Sequence, residues 1–216
     1  MKGKNLFWIL WLGGIMYAAF LAPPDNFQET FELIKKLSTG EIEGINPLIV
    51  SLFNIMGIWP IIYSCVLFFD GRGQKVPAWP FAVLSFGLGA FAILPYLALR
   101  NSNPEFAGQK SWFLKILDSK ITAILLLLGS AGLVSWGLVN ADWADFIVQW
   151  QSKRFIHVMS LDFCALCLLF PALLGDDMAR RGIKNNTLFW VVSLIPLFGP
   201  LAYLCLRLPV TTHSDL

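Results

Sequence analysis

Asp162 is the residue whose type and position most directly indicate chemistry. It lies about a third of the way into a long apolar stretch, between Leu161 and Phe163. A charged side chain inside a membrane costs at least about 2.5 kcal/mol, so such residues often mark ion or proton sites. Three interpretations stay open: a structural residue bonded to Ser160, Asn54 or another helix, a proton or ion site, or an interfacial group. Because Asn54 lies near the matching place in the first half of the chain, the sequence predicts Asp162 and Asn54 as an intramembrane polar site.

His157 and a cysteine pair are the other candidates for chemistry in the same stretch. His157 precedes Asp162 by about one helical turn, and a membrane histidine can ligate haem iron or relay protons. A lone histidine is only a weak cofactor candidate, and local hydrogen bonding is the competing interpretation. Cys164 and Cys167 have C-x-x-C spacing, but a redox pair needs an accessible thiolate, and these lie deep in apolar sequence. The sequence therefore predicts no catalytic residue, no metal site and no cofactor.

Two short polar loops carry charges that could bind a partner. Each begins with an aspartate and continues with arginine. The residues predicted to dock a partner are Asp70 and Arg72 in the first loop and Asp177, Arg180 and Arg181 in the second. The competing interpretation is a solvated turn with balanced charge, and no glycine-rich phosphate loop fits, because such loops need a strand before the helix.

The elements that must position these residues are apolar helices. The chain is 56% hydrophobic and 14% charged, whereas soluble domains have about 45–50% apolar and 25% charged residues. A bilayer core needs about 20 apolar residues per helix, and lipid excludes open strands. The predicted fold is therefore all-α and integral to the membrane, with about six transmembrane helices: Asn5–Ala22, Pro47–Phe69, Pro80–Leu99, Ile121–Val139, Phe155–Leu174 and Leu188–Leu206. The net charge of +2 argues against nucleic acid as a partner.

The chain reads as two similar three-helix halves. Tyr96–Arg100 (Tyr-Leu-Ala-Leu-Arg) matches Tyr203–Arg207 (Tyr-Leu-Cys-Leu-Arg), and the same offset aligns Asp70 with Asp177. We therefore predict a first repeat over 1–100, a linker over 101–120, and a second repeat with a polar tail over 121–216. The alternative is that any two three-helix stretches align loosely.

A short amphipathic helix follows the first transmembrane helix of each half. Asn26 and Glu29 have the spacing of a capping box before an apolar stripe that includes Phe27 and Phe31. Trp143 and Ile147 belong to the corresponding stripe in the second half. Such helices lie most naturally in the plane of the membrane interface.

An odd number of transmembrane helices per half predicts inverted repeats, with Asp70 and Asp177 on opposite faces of the membrane. Inverted repeats occur in transporters, whose substrates bind between the halves. With this arrangement one face carries seven Lys and Arg residues and the other nine, so the positive-inside rule leaves the orientation undecided.

Two resemblances follow from these segments. The stretch 46–100, with Phe69-Asp70-Gly71-Arg72 and the Tyr96–Arg100 end, resembles small three-span bacterial proteins of unknown function. The whole chain, including Gly175-Asp176-Asp177-Met178-Ala179-Arg180-Arg181-Gly182, is similar to uncharacterised membrane proteins of cyanobacteria and chloroplasts. The resemblance implies a thylakoid or plasma membrane of a photosynthetic organism and carries over no functional residue.

Two function hypotheses result. The first is a non-enzymatic scaffold, assembly or accessory factor, with the lipid bilayer and a membrane protein complex as partners. The second is a small transporter or channel that uses the intramembrane polar site. An enzyme has no support from the residues.

Overall fold

The computed structural model describes residues 2–106 and 108–210, and in these ranges the regular structure is helical. A π-helical segment, Tyr17–Leu21, continues the first helix. The twelve α-helices are α1 Lys2–Met16, α2 Phe27–Thr39, α3 Pro47–Asp70, α4 Trp79–Leu88, α5 Ala90–Leu99, α6 Trp112–Leu117, α7 Lys120–Val139, α8 Trp143–Ser152, α9 Arg154–Leu169, α10 Pro171–Arg180, α11 Asn186–Leu194 and α12 Phe198–Leu206. The all-α prediction is confirmed for the described residues.

Four helical stretches are long and apolar enough to cross a membrane. They are Gly3–Leu21, Pro47–Asp70, Lys120–Val139 and Arg154–Arg180. Many of their large apolar side chains face outward, as expected where lipid is the solvent. The chain is therefore a multi-pass integral membrane protein, and the third and sixth predicted transmembrane helices are not among these four stretches.

The predicted third transmembrane helix is a hairpin of two half-length helices. α4 and α5 have ten residues each, or about 15 Å, half the thickness of a bilayer core. Gly89 connects them with φ +50° and ψ −125°, a conformation that suits glycine. The rings of Phe81 and Tyr96 lie 5.5 Å apart between the two helices. The segment therefore turns back at its middle and ends at the side where it began.

The predicted sixth transmembrane helix has the same form. α11 and α12 have nine residues each and are joined by Ile195, Pro196 and Leu197. Leu197 has φ +58°, and a Cβ added to Gly199 would lie 2.3 Å from the Val192 carbonyl oxygen. The close approach of the two helices therefore depends on glycine.

The two halves have the same orientation. Arg180 approaches Asp70 and Asp177 equally, with Nη–Oδ1 distances of 3.4 Å to each. Both aspartates therefore lie at one end of the bundle, called here the network end. The prediction of inverted repeats is wrong, because these aspartates share one end: each half has two long apolar helices followed by a hairpin of two shorter ones.

With this topology, the numbers of basic residues at the two ends differ from those expected for six transmembrane helices. The N-terminal start of α1, the loops after α3, α5 and α10, and the end of α12 all lie at the network end. The opposite end holds four of the 16 Lys and Arg residues: Lys35, Lys36, Lys153 and Arg154. The positive-inside rule, which was indecisive for six transmembrane helices, now predicts a cytoplasmic network end.

The opposite end is built from α2 and α8. Asn26 caps α2, accepting from the Glu29 N–H at 3.4 Å while its amide donates to the Glu29 carboxylate at 2.7 Å. Phe27 and Phe31 are exposed on α2. Asn46 joins the two halves here, donating to Asp145 at 2.7 Å. The two helices predicted at the interface are therefore present, with exposed apolar residues.

The larger of two hydrophobic clusters packs both halves together. It contains Trp59, Tyr63 and Phe69 from α3 together with Phe170 and Tyr203 from the second half. α3 and α7 approach closely where Ser51 donates to the Leu133 carbonyl at 2.8 Å. The elements that carry the charged groups are thus held in one packed unit.

Candidate functional site

The network end contains two matching aspartate sites. Asp70 accepts from Tyr96 at 2.6 Å and from Arg100 Nε at 2.7 Å. Asp177 accepts from Tyr203 at 2.7 Å and from Arg207 at 3.2 Å. The separation from aspartate to tyrosine is 26 residues in each half, and from aspartate to arginine 30. Each hairpin is thus fixed by its last residues to the end of the preceding transmembrane helix.

Further charges connect these sites into one ion-pair network. Its members are Asp70, Arg100, Asp118, Asp176, Asp177, Arg180, Arg181 and Arg207. Arg181 bridges Asp177 at 2.9 Å and Asp118 at 2.7 Å. Asp70 and Asp177 have no exposed side-chain surface. Because a buried charge is costly unless it is paired and hydrogen-bonded, the network holds its members in fixed positions.

Asp118 lies at the edge of this network, where burial and neighbouring cations have opposite effects on its pKa. Burial acts to raise the pKa of its carboxyl group, but Arg181, Lys110 and Arg207 outweigh that effect and lower the pKa below 3.8. Lys110 lies 2.9 Å from Asp118 Oδ2. Asp118 is therefore held in its charged form by the surrounding cations.

The predicted docking residues are mostly buried in this network. Asp70 and Asp177 are fully buried, and Arg180 and Arg181 are 7% and 6% exposed. The prediction of exposed docking loops is therefore wrong for these four. Arg72 is partly exposed and donates to the Gln109 carbonyl at 3.1 Å, with its guanidinium 5.7 Å from the centre of the Phe106 ring.

Asp162 lies at the tip of the first hairpin. Its Oδ1 accepts from the Ala90 N–H at 2.9 Å, so it caps the N-terminus of α5 from another helix. A Cβ on Gly89 would lie 1.6 Å from Asp162 Oδ2, so glycine is needed for this contact. Asp162 is 9% exposed, so its carboxyl group is buried within the bundle.

Asn54 does not join Asp162. It is exposed on α3, and its amide donates to the Val50 carbonyl of its own helix at 2.8 Å. Asn54 therefore satisfies its polar group locally, facing away from the core, and the expected intramembrane pair is wrong.

His157 has protein partners at both ring nitrogens. Nδ1 lies 3.0 Å from the Trp150 carbonyl oxygen and Nε2 lies 2.7 Å from the Tyr17 hydroxyl. Because a carbonyl oxygen only accepts, Nδ1 donates to Trp150, while Nε2 shares a hydrogen bond with the Tyr17 hydroxyl. The ring also lies 4.4 Å from the Trp150 ring, centre to centre. This geometry supports local hydrogen bonding by His157.

Two cavities meet at Asp162. The first, called here the tip cavity, has a volume of about 450 Å³ and extends from Asp25, Thr30 and Arg154 at the opposite end to Gly89 and Asp162. The second, of about 540 Å³, lies against α1 and has mainly apolar lining, including Leu10 and Leu168. The hairpin tip and its carboxylate are thus accessible within the membrane-spanning part of the protein.

No family model matches the chain, and no solved structure matches it. The chain is similar to the succinate dehydrogenase hydrophobic membrane anchor subunit of Rickettsia bellii. The two sequences are 28% identical over 110 residues, which are 49% of this chain and 85% of the relative. A relative described as a hydrophobic membrane subunit agrees with the multi-pass membrane fold.

The residues that sequence reasoning missed are those that complete the network. Tyr96, Arg100, Tyr203 and Arg207 were recognised as a repeated pattern but not as partners of Asp70 and Asp177. The usable signal was charge: an arginine and an aspartate recur at equal separation beside apolar segments in both halves. An unpaired charge buried there would be strongly unfavourable, so this recurring spacing is the signal that could have indicated the contacts.

Proposed function

We propose that this chain is a non-enzymatic membrane subunit that anchors a partner protein complex at the network end. The observation that carries the proposal is the charge left exposed there. Of the described acidic residues at this end, Asp70, Asp118, Asp176 and Asp177 are paired with cations, which leaves Glu105 exposed.

Among the residues whose exposure the structure describes, four lysines are exposed at the same end: Lys75, Lys115, Lys120 and Lys184. A surface with one sign of charge attracts a complementary surface and steers its approach. The side chain of Trp112, 74% exposed on α6, adds a large apolar group of the kind enriched in protein interfaces. An acidic protein surface is therefore the partner that the network end fits.

The likeness to a succinate dehydrogenase membrane anchor subunit supports the same proposal. That relative is named for a role as a membrane anchor within a complex. A non-enzymatic role for this chain is compatible with it. A photosynthetic membrane as the setting stays a prediction from the sequence resemblance, without support from this relative.

The test is co-purification from native membranes in mild detergent with two matched double variants. Lys115→Glu with Lys184→Glu reverses charge at the network end, and Lys35→Glu with Lys36→Glu reverses the same charge at the opposite end. We expect stoichiometric partner subunits with the wild type and the second variant, and their loss with the first. Recovery of the wild type alone, or equal loss with both variants, would contradict the proposal.

Transport of a small solute is the second candidate function. The argument from inverted repeats no longer holds, because the halves are parallel. Transport is still supported by the hairpin tip, whose backbone is non-helical at membrane depth. Non-helical backbone at this depth occurs only where it is buried in protein or lines a cavity. Solute flux into proteoliposomes that is abolished by Asp162→Asn would favour transport, and wild-type flux equal to that of protein-free vesicles would reject it.

A further inference from the structure

The floor of the tip cavity is rich in hydrogen-bond acceptors. Asp162 Oδ1 accepts from Ala90, and among the described residues no donor is paired with Oδ2. The side chain is buried to about nine-tenths and lines the cavity. Asp162 Oδ2 thus lies against Gly89 at the cavity floor, with no cation among its hydrogen-bond partners in the described residues.

The end of α4 adds main-chain acceptors to the same floor. The last backbone hydrogen bond at the C-terminal end of α4 is donated by the Gly89 N–H to the Ser85 carbonyl oxygen, at 2.9 Å. The next N–H, that of Ala90, donates to Asp162 instead of to Phe86. The carbonyl groups of Phe86, Gly87 and Leu88 are therefore left beyond the hydrogen-bonded turn, and these three residues line the cavity. A helix C-terminus carries partial negative charge, so this end favours a cation.

Aromatic rings form much of the cavity wall. Phe53, Phe86, Phe91 and Phe155 line it, together with Met56 and Met159. Aromatic faces attract alkylated ammonium ions through their quadrupole, and they do so more strongly when water is excluded. A small inorganic cation would use only the oxygens of the floor, whereas an alkylated ammonium ion also contacts the aromatic wall.

We propose that the tip cavity binds an organic ammonium ion, with the cationic group against Asp162 and the carbonyl end of α4 and the alkyl groups against the phenylalanines. The volume of about 450 Å³ lies within the range of small-molecule sites, which is roughly 300–1,000 Å³. The cavity reaches Asp25 and Arg154 at the opposite end of the bundle, which provides the route of entry. Arg154 Nε is engaged there by the Pro23 carbonyl at 2.9 Å, so the guanidinium is held at the mouth, while Asp162 lies at the floor.

The test measures equilibrium binding of choline to the full chain purified in detergent. The control ligand is 3,3-dimethylbutan-1-ol, which has the shape of choline without its charge. Asp162→Asn is the main variant, because the amide oxygen can still accept the Ala90 N–H while the negative charge is lost. Asp25→Asn is the matched variant, which removes a carboxylate at the mouth.

We expect saturable choline binding by the wild type and binding of the alcohol that is at least tenfold weaker. Asp162→Asn should weaken choline binding at least tenfold without changing the melting temperature or the gel-filtration profile, whereas Asp25→Asn should weaken it less. Equal binding of the two ligands, unchanged binding by a folded Asp162→Asn variant, or no saturable binding by the wild type would each overturn the proposal. None of these outcomes depends on whether the network end anchors a complex, so the two proposals can fail separately.

Discussion

At the scale of single residues, Asp177 is a fully buried aspartate that pairs with three arginines of the ion-pair network. It pairs with Arg181 at 2.9 Å, with Arg207 at 3.2 Å and with Arg180 at 3.4 Å. Removing one partner of a buried ion pair leaves the other charge without compensation, which costs about 3–5 kcal/mol. We therefore expect Asp177→Asn to lower the melting temperature of the purified protein strongly.

The control for this change is Asp25→Asn. Asp25 is exposed and accepts a hydrogen bond from Thr30 at 2.9 Å, so its replacement should change stability by less than about 1 kcal/mol. Equal melting temperatures of the Asp177 and Asp25 variants would mean that the network does not contribute to stability.

Asp118 makes the stability of the network end dependent on pH. Its pKa is lowered below 3.8 in the folded protein, so the folded state favours the charged form more than the unfolded state does. The stabilisation is therefore present above pH 3.8 and is lost as the pH falls through the folded-state value. We expect the difference in melting temperature between wild type and Asp118→Asn to be constant at neutral pH and to shrink in acid. A difference that stays the same down to the acid limit would contradict this assignment.

At the scale of secondary structure elements, the hairpins show where sequence reasoning succeeds and fails. Composition and length identified the long apolar segments, and the aromatic and polar spacing identified α2 and α8, whereas α6 lies in the stretch predicted as a linker. A hairpin of two half-length helices has the same length and composition as one transmembrane helix, so Pro80–Leu99 gave no hydropathy signal for its turn. Gly87-Leu88-Gly89 marks the turn in sequence, but glycine pairs are also common in straight helices that pack closely.

Sequence reasoning was limited in the same way at the candidate site, because contacts between helices depend on how the segments fold. Asp162 was recognised from its cost in an apolar helix, which needs no knowledge of its neighbours. Its contact with Ala90 depends on the hairpin and could not be inferred without it. Asn54 appeared to be its partner because the two occupy similar places in sequence, but helix rotation directs Asn54 outward.

The hairpin tip can be tested by Gly89→Ala. The new Cβ would overlap Asp162 Oδ2 at 1.6 Å, and φ is +50°, so both the contact and the backbone oppose a side chain. Strain of this kind costs about 1–3 kcal/mol, and we expect a lower melting temperature.

Gly87→Ala is the matched control two residues away. A Cβ at Gly87 meets nothing within 4 Å, and alanine is favoured over glycine inside a helix by about 1 kcal/mol. Its melting temperature should be unchanged or higher. If Gly89→Ala were as stable as Gly87→Ala, the tip would not have the described conformation.

At the scale of the whole molecule, the corrected topology makes a prediction that separates it from six transmembrane helices. Residues 75 and 184 lie at the network end, and residue 35 lies at the opposite end. In a functional background without native cysteines, single Lys75→Cys, Lys184→Cys and Lys35→Cys variants can be labelled with a membrane-impermeant thiol reagent. We expect labelling of Lys35→Cys from outside intact cells and labelling of the other two only after the membrane is opened.

The three labelling sites distinguish the alternatives directly. Six transmembrane helices with inverted halves would place residues 75 and 184 on opposite sides of the membrane. Labelling of one of these two from outside would therefore contradict parallel halves. Labelling of both from outside, with residue 35 protected, would keep the halves parallel but reverse the orientation predicted from the basic residues.

The position of Arg180 has a consequence for the symmetry of the molecule. One guanidinium group lies between two aspartate sites of the same construction, at 3.4 Å from each, whereas the matching place in the first half is taken by Gly73, which has no side chain to offer. Two identical copies of the second half could not pair in this way, because a second guanidinium would occupy the same place and repel the first. The shared cation thus makes the two halves complementary, and each half requires the other as a distinct partner within one chain.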